Sequence, residues 1–284
     1  MWRRIVQILS AIGINSNFSI FKNFGIYQGP FKRVCAPALN CYACPLARFS
    51  CPIGSLQHFI GIRKIPYYIL GYIGTIGMFV GRSACGWLCP FGFIQELLYK
   101  IGYIKIRVGK WAGYVKYIVL TIIIPVVYFT TEPWFCKICP AGTLEATIPI
   151  VISPMWELLS QLISWRFYMK LSILVIFVIS AILIKRPFCR FMCPLGAMWG
   201  LFNRISALKL KVEKHYCQEC DICREVCPMD IRIYKDPNHF DCIRCMRCVT
   251  ACPREVVSVE IFDLKIWPKQ EENLKRVYLN ASDQ

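Results

Sequence analysis

Eight of the 18 cysteines in this 284-residue chain fall in two runs, Cys217-x2-Cys220-x2-Cys223-x3-Cys227-Pro228 and Cys242-x2-Cys245-x2-Cys248-x3-Cys252-Pro253. Three thiolates so spaced wrap three irons of one [4Fe–4S] cubane, and the fourth of each run reaches across to the other cluster. The spacing therefore predicts one cluster on Cys217, Cys220, Cys223 and Cys252, and a second on Cys242, Cys245, Cys248 and Cys227. Structural zinc is the poorer reading, because two CxxC knuckles leave the third and fourth cysteines and the trailing proline without a use. Two adjacent cubanes form a segment of electron wire.

Further cysteines recur in the apolar part of the chain. Cys85-Gly-Trp-Leu-Cys89-Pro90-Phe91-Gly92 matches Cys189-Arg-Phe-Met-Cys193-Pro194-Leu195-Gly196, and upstream Cys41-Tyr-Ala-Cys44-Pro45 matches Cys136-Lys-Ile-Cys139-Pro140. A half-unit of CxxCP, apolar span and CxxxCP thus occurs twice, over about 36–110 and 132–206, and predicts an internal pseudo-twofold repeat. About that axis Cys85, Cys89, Cys189 and Cys193 form a quartet suited to one further [4Fe–4S] cluster. The opposite membrane surface collects Cys35, Cys41, Cys44, Cys51, Cys136 and Cys139. Repeat symmetry selects Cys41, Cys44, Cys136 and Cys139 for another cluster, with Cys51-Pro-Ile-Gly as a competing ligand. Redox-active or disulfide-bonded thiols are the other reading of these outer cysteines.

The elements that must carry these motifs are membrane helices. The chain is 56% hydrophobic with a mean hydropathy of +0.45, against about 45–50% apolar residues in ordinary soluble domains. That balance excludes disorder, and the length and block-wise hydrophobicity argue against a small disulfide scaffold. Apolar runs at 65–81, 111–131 and 167–184, with a weaker one at 5–28, predict about four transmembrane helices. Residues 143–165 hold two prolines and two glutamates, so an interfacial or re-entrant segment is expected there. Net charge is +19 over residues 1–214, −3 over 215–263 and +1 over 264–284. These boundaries divide the chain into a transmembrane domain, a C-terminal α+β ferredoxin-like domain of the bacterial 2[4Fe–4S] type, and a polar tail. The basic residues punctuate apolar runs, which fits snorkelling and topology and gives no nucleic-acid surface. Their bias, 14 against 8 between the two sets of loops, places both termini and the ferredoxin-like domain in the cytoplasm. No small-residue cleavage site follows Arg3–Arg4, so a removed leader is not expected.

Other residues are less telling. Three histidines, His58, His215 and His239, do not supply paired axial ligands for haem. His58 and Glu132 near the outer surface could accept protons from a quinol, and His215 and His239 flank the ferredoxin-like runs. Gly71, Gly74, Gly77 and Gly81 lie about one helical turn apart and predict close helix packing.

With both CxxxCP motifs and both C-terminal runs in view, the chain resembles the NapH/NosR/MauN-type membrane-bound ferredoxins, from Cys41-Tyr-Ala-Cys-Pro-Leu-Ala to Cys252-Pro. The large N-terminal extension of NosR-like relatives is not expected as part of this resemblance. The resemblance implies a polyferredoxin-like membrane component of a quinol dehydrogenase in a prokaryotic cytoplasmic membrane. Such a component relays electrons between the membrane quinone pool and a partner redox protein or oxidoreductase. The alternative is an accessory reductase that reduces a metal or thiol during maturation of another metalloenzyme.

Overall fold

The computed structural model describes residues 2–17, 26–152 and 165–267. Its first helix, α1 (Trp2–Ile14), is inside-out: Arg3 and Gln7 are buried while Trp2, Ile5, Ile8, Leu9 and Ile12 are exposed. That arrangement suits an apolar surrounding, where polar side chains find partners only within the protein. α1 has 13 residues, about 20 Å of helix, and ends where Asn15 Nδ2 donates to the Ala11 carbonyl at 3.2 Å. The expected span over 5–28 is thus not a continuous helix, and residues 18–25 of it lie outside the described part.

Two structural half-units follow. In the first, α2 (Pro52–Gly61) leads to α3 (Tyr67–Val80), then to the short α4 (Ser83–Trp87) and to α5 (Pro90–Ile101). α6 (Val115–Thr130) connects the halves. The second half opens on the short α7 (Trp134–Ile138), followed by α8 (Pro140–Gly142), which passes through a π turn (Thr143–Thr147) into α9 (Ile148–Ile152). After residues 153–164, outside the described part, come α10 (Trp165–Leu183), the short α11 (Pro187–Phe191) and α12 (Pro194–Phe202). α2, α5, α8 and α12 each begin with proline directly after a cysteine, the position where a missing N–H costs nothing. The halves interlock, with α5 packed on α10 and α12 packed on α3. At their centre Phe91 stacks on Phe177 with ring centroids 4.9 Å apart and meets Phe188 edge-on at 5.1 Å.

Two stretches, Trp111–Thr130 and Trp165–Leu183, are long and apolar enough to cross a bilayer among the described residues. α3 is apolar but has 14 residues, about 21 Å against the roughly 30 Å hydrocarbon core. The glycine row on α3 divides: a Cβ on Gly71 or Gly74 would meet nothing within 4 Å, but one on Gly77 would stand 2.6 Å from the Phe202 ring. Gly81 adopts φ +56, a left-handed turn that ends the helix and lets Asn203 and Arg244 close in.

The head is a three-stranded antiparallel sheet in the order β1 (Leu208–Val212), β2 (Val257–Ile261), β3 (Leu264–Trp267). The sheet recruits residues before 215 and after 263, and of the expected tail only 268–284 lie outside the described part. Helices α13 (Ile222–Glu225) and α14 (Arg247–Ala251) pack on each other over the two cysteine runs.

Candidate metal centres

The two runs of the head repeat one backbone. Left-handed conformations occur at Glu219, Asp221 and Asp230 in the first, and at Arg244, Met246 and Glu255 in the second, the same three positions of each run. Non-glycine residues hold such angles at a cost of about 1–3 kcal/mol each, which surrounding structure must offset. Here the turns aim successive thiols inward. Cys227, Cys242, Cys245 and Cys248, together with Cys223, line one small cavity of about 20 Å³. Those first four thiols are the set expected for the second cluster. In the first run, Cys223 feels the charges of Cys217 and Cys220, and the packing of α13 on α14 brings the end of α14, next to Cys252, towards them. Cys220 is exposed.

Beneath the head, Cys85, Cys89, Cys189 and Cys193 are all buried and lie within reach of one another's charge. Cys89 and Cys193 cap their helices, each sulfur accepting from a glycine amide three residues on, Gly92 and Gly196, at 3.4 Å. Gln95 reaches across the halves: its Nε2 donates to Cys189 Sγ at 3.2 Å and its Oε1 accepts from the Phe188 amide at 3.1 Å. Two arginines complete a cross-brace. Arg82 Nη2 donates to the Cys189 carbonyl at 2.5 Å, and Arg186 Nη1 donates to the Cys85 carbonyl at 3.1 Å. Each arginine stands three residues before its own half's first cysteine and holds the other half's. Arg82 and Arg186 are 0% and 1% exposed, so they do not snorkel as the basic residues were expected to. The repeat R-x2-C-x3-C-P-x-G was the signal that could have found them.

On the far side, the expected quartet is only partly gathered. Cys51 is the thiol whose charge acts most strongly on both Cys136 and Cys139, and Cys41 feels Cys51 as well. Cys44 packs with Ala47 and Ala146, with Cys41 against them, and its charge acts on Cys41 after that of Cys51. Gln57 Nε2 donates to Cys136 Sγ at 3.4 Å, and Gln57 Oε1 accepts from the Phe135 amide at 3.1 Å. Glu145 Oε2 accepts from the Cys41 amide at 2.8 Å, and burial pushes this carboxyl up to about 8. Cys35 is buried against Ser50 Oγ at 3.4 Å and takes no place in either quartet. His58 is exposed, and Glu132 pairs with Lys137 at the surface. His239 Nδ1 accepts from the Asp241 amide at 3.1 Å, beside the second run.

The family described as a 4Fe-4S binding domain matches residues 70–111, 117–149 and 166–213, segments that contain Cys85 and Cys89, Cys136 and Cys139, and Cys189 and Cys193. The chain is 30% identical over 220 residues to the uncharacterized protein MJ0750 of Methanocaldococcus jannaschii, covering 73% of this chain and 85% of that protein. It is 26% identical over 205 residues to the putative electron transport protein YccM of Escherichia coli, covering 67% and 54%. A 96-residue stretch is 30% identical to the ferredoxin-type protein NapH of Haemophilus influenzae, 30% of this chain and 33% of that one. The chain belongs to the membrane-bound ferredoxin-type electron-transport family. No solved structure matches it.

The donor set fits the clusters this family is named for. Among the described residues no group of three or more His, Cys, Asp and Glu side chains suits a single metal ion, and a cubane needs its four thiolates further apart than one ion does. Burial pushes the Cys85 and Cys193 thiols up and Cys89 up to about 12, so these sulfurs ionise on binding metal rather than before it. Charge balance asks for that. Arg3, Arg82, Lys116, Arg186, Arg190 and Arg244 are buried around this ferredoxin family's membrane motif, against two buried carboxylates, Glu96 and Asp241. The Nε atoms of Arg82, Arg186, Arg190 and Arg244 have no hydrogen-bond partner. Uncompensated buried cations cost several kcal/mol each, and a four-thiolate cluster supplies the missing negative charge.

Glu96 ties three parts of the fold at one point. It meets Arg3 at 2.5 Å, Arg186 at 2.7 Å, Arg247 of the head at 2.8 Å and Arg4 at 3.2 Å. Burial alone would raise its carboxyl, but Arg186, Arg3 and Arg247 hold it at about 2. A folded value below the unfolded one stabilises above pH about 4.5, and the contribution fades as pH falls towards 2. Glu96→Gln is expected to cost about 3 kcal/mol at pH 7, read as a lower melting temperature of the detergent-solubilised protein. The variant should also lose less stability than the wild type between pH 4.5 and 3; an equal acid slope would remove Glu96 from this role.

Proposed function

We propose that this chain is the electron-relay component of a quinol dehydrogenase, passing electrons between the membrane quinone pool and a partner redox protein. The observation that carries the reading is the seating of the head's second run on the proximal quartet. Trp87 Nε1, between Cys85 and Cys89, donates to the Arg244 carbonyl at 3.0 Å. Asn203 Nδ2 donates to the Cys242 carbonyl at 2.8 Å, and Arg244 Nη1 returns to the Val80 carbonyl at 3.2 Å. The relay then runs from Cys85, Cys89, Cys189 and Cys193 to the cluster of Cys242, Cys245, Cys248 and Cys227, and on to that of Cys217, Cys220, Cys223 and Cys252. The exposed Cys220 makes the last of these the one a soluble partner meets.

Bound [4Fe–4S] clusters supply one-electron storage at each station. The chain's own residues hold them in line and exclude water: donors on Cys89, Cys189 and Cys193 favour the more negative, reduced state. A cavity of about 570 Å³ opens at the membrane edge between the halves and the head, lined by Tyr99, Ile106, Ile184, Arg190 and Cys227 among others. Its size suits a small-molecule site, and its basic rim eases loss of a proton from a quinol hydroxyl there. Each quinol oxidised yields two electrons, taken up one at a time, and two protons released to solvent. The bias of the basic loops supports a head in the cytoplasm of a prokaryote, with the spans crossing the inner membrane several times.

Anaerobic purification with iron counting tests the reading. About 8 Fe per chain is expected from the head and about 12 with the proximal quartet, and a reduced quinol analogue should reduce the clusters on mixing. Fewer than 8 Fe after full reconstitution, or loaded protein that quinol leaves oxidised, would sink it.

A further inference from the structure

We propose that the far side of the membrane half holds its own [4Fe–4S] cluster, ligated by Cys41, Cys51, Cys136 and Cys139, with Cys44 outside the ligand set. This rests on the cluster reading of the proximal quartet, whose geometry it repeats.

Four helices of the chain begin alike. Cys51, Cys89, Cys139 and Cys193 each precede Pro-x-Gly and adopt nearly one conformation, φ/ψ −80/129, −73/113, −71/120 and −72/109. In the proximal pair the glycine amides bond the capping sulfurs; in the distal pair the amides of Gly54 and Gly142 lie near enough to favour the thiolates of Cys51 and Cys139 but close no cap hydrogen bond. Ligand sulfurs that receive backbone N–H groups at a helix start are held where negative charge is favoured.

The sixth residue after three of these caps completes the set. Gln95, after Cys89, bonds Cys189 and the amide before it. Gln57, after Cys51, bonds Cys136 and the amide before it, from the same two atoms. Glu145, after Cys139, receives the amide of Cys41. So each half's cap helix clamps the other half's remaining cysteine, and the clamped distal residues are Cys136 and Cys41. The glycines agree: a Cβ on Gly54 would lie 3.7 Å from Cys136 Sγ, and one on Gly142 would lie 3.4 Å from Cys41 Sγ. Cys44-Pro45-Leu46-Ala47 has no glycine and starts no helix, and Cys44 packs with Ala47, Ala146 and Cys41 in a cluster separate from the one that holds Cys51 and Cys139. The two quartets are joined by aromatics. Phe135 precedes Cys136, Phe188 precedes Cys189, and their ring centroids are 6.3 Å apart. An electron leaving one cluster for the other has a packed, dry path through them.

The full-length protein, purified anaerobically in detergent and reconstituted with iron and sulfide, is compared as wild type, Cys51→Ser and Cys44→Ser. The wild type should carry about 16 Fe; Cys51→Ser should lose about 4 together with one reduced-state EPR signal, and Cys44→Ser should lose none. Loss in Cys44→Ser with retention in Cys51→Ser overturns the ligand choice. A wild type of about 12 Fe, unchanged in Cys51→Ser, overturns the distal cluster and leaves the relay through the head standing. If Cys51→Ser does not fold, Gln57→Leu decides: removal of the donor to Cys136 should lower one cluster's midpoint potential at unchanged iron content. Unaltered potentials at full iron content overturn the proposal.

Discussion

Cys189→Ser is expected to disconnect the head from quinol. Cys189 is 6% exposed, its sulfur accepts from Gln95 and its carbonyl from Arg82, so both halves converge on it. A hydroxyl is a harder and less acidic donor than a thiol, and the site cannot recruit a nearby replacement from the distal cysteines. The variant should lose about 4 Fe while the head keeps about 8. Quinol-driven reduction of the head should fall below detection, yet dithionite should still reduce the head clusters through the exposed side at Cys220. The emptied quartet also leaves Arg82 and Arg186 short of counter-charge, so the melting temperature should fall too. Wild-type iron content, or head reduction by quinol at the wild-type rate, would show that electrons do not pass this way.

What could be read in the sequence was what is local. Ligand runs such as Cys242 to Cys252 fix their own geometry within a few turns, and Cys227, Cys242, Cys245 and Cys248 line one cavity together with Cys223. The repeated cysteine motifs are equally local, and on the far side two registers compete. Cys41-x2-Cys44-Pro invites pairing with Cys136-x2-Cys139-Pro, whereas the closer structural match is Cys51-Pro-Ile-Gly-x2-Gln57 with Cys89-Pro-Phe-Gly-x2-Gln95. The glutamine six residues after each of these cysteines is the signal that favours the second register. Hydropathy windows counted apolar residues but not helix ends, and Asn15 imposes one early on the first span. The charge network was out of reach, because its partners are distant in the chain. Arg3 meets Glu96 across 93 residues, and Arg82 meets Asp241 across 159. A buried guanidinium and a snorkelling one look the same in a string of letters.

Asp241→Asn should be the most destabilising of the charge substitutions, costing about 3–5 kcal/mol at pH 7. The carboxylate is 3% exposed, with Arg82 Nη1 at 3.0 Å from its Oδ1 and the Lys116 ammonium on the same oxygen. It thus joins the head, the proximal motif and the helix that carries Lys116. Burial alone would raise the Asp241 carboxyl, but Arg82 and Lys116 bring it below its usual value. That contribution is complete above pH about 3.8 and fades only as pH falls through the lower folded value. At pH 7 the amide therefore removes all of it and leaves two buried cations facing each other. A loss of this size corresponds to a melting temperature roughly 10 °C lower in a chain this long. The contrast is the pair of Arg107 with Glu225, 2.5 Å apart but 59% and 61% exposed, where Glu225→Gln should change stability by less than about 1 kcal/mol. Equal effects of the two substitutions would mean that water reaches Asp241 in the folded protein, and that the buried layer beneath the head is not dry.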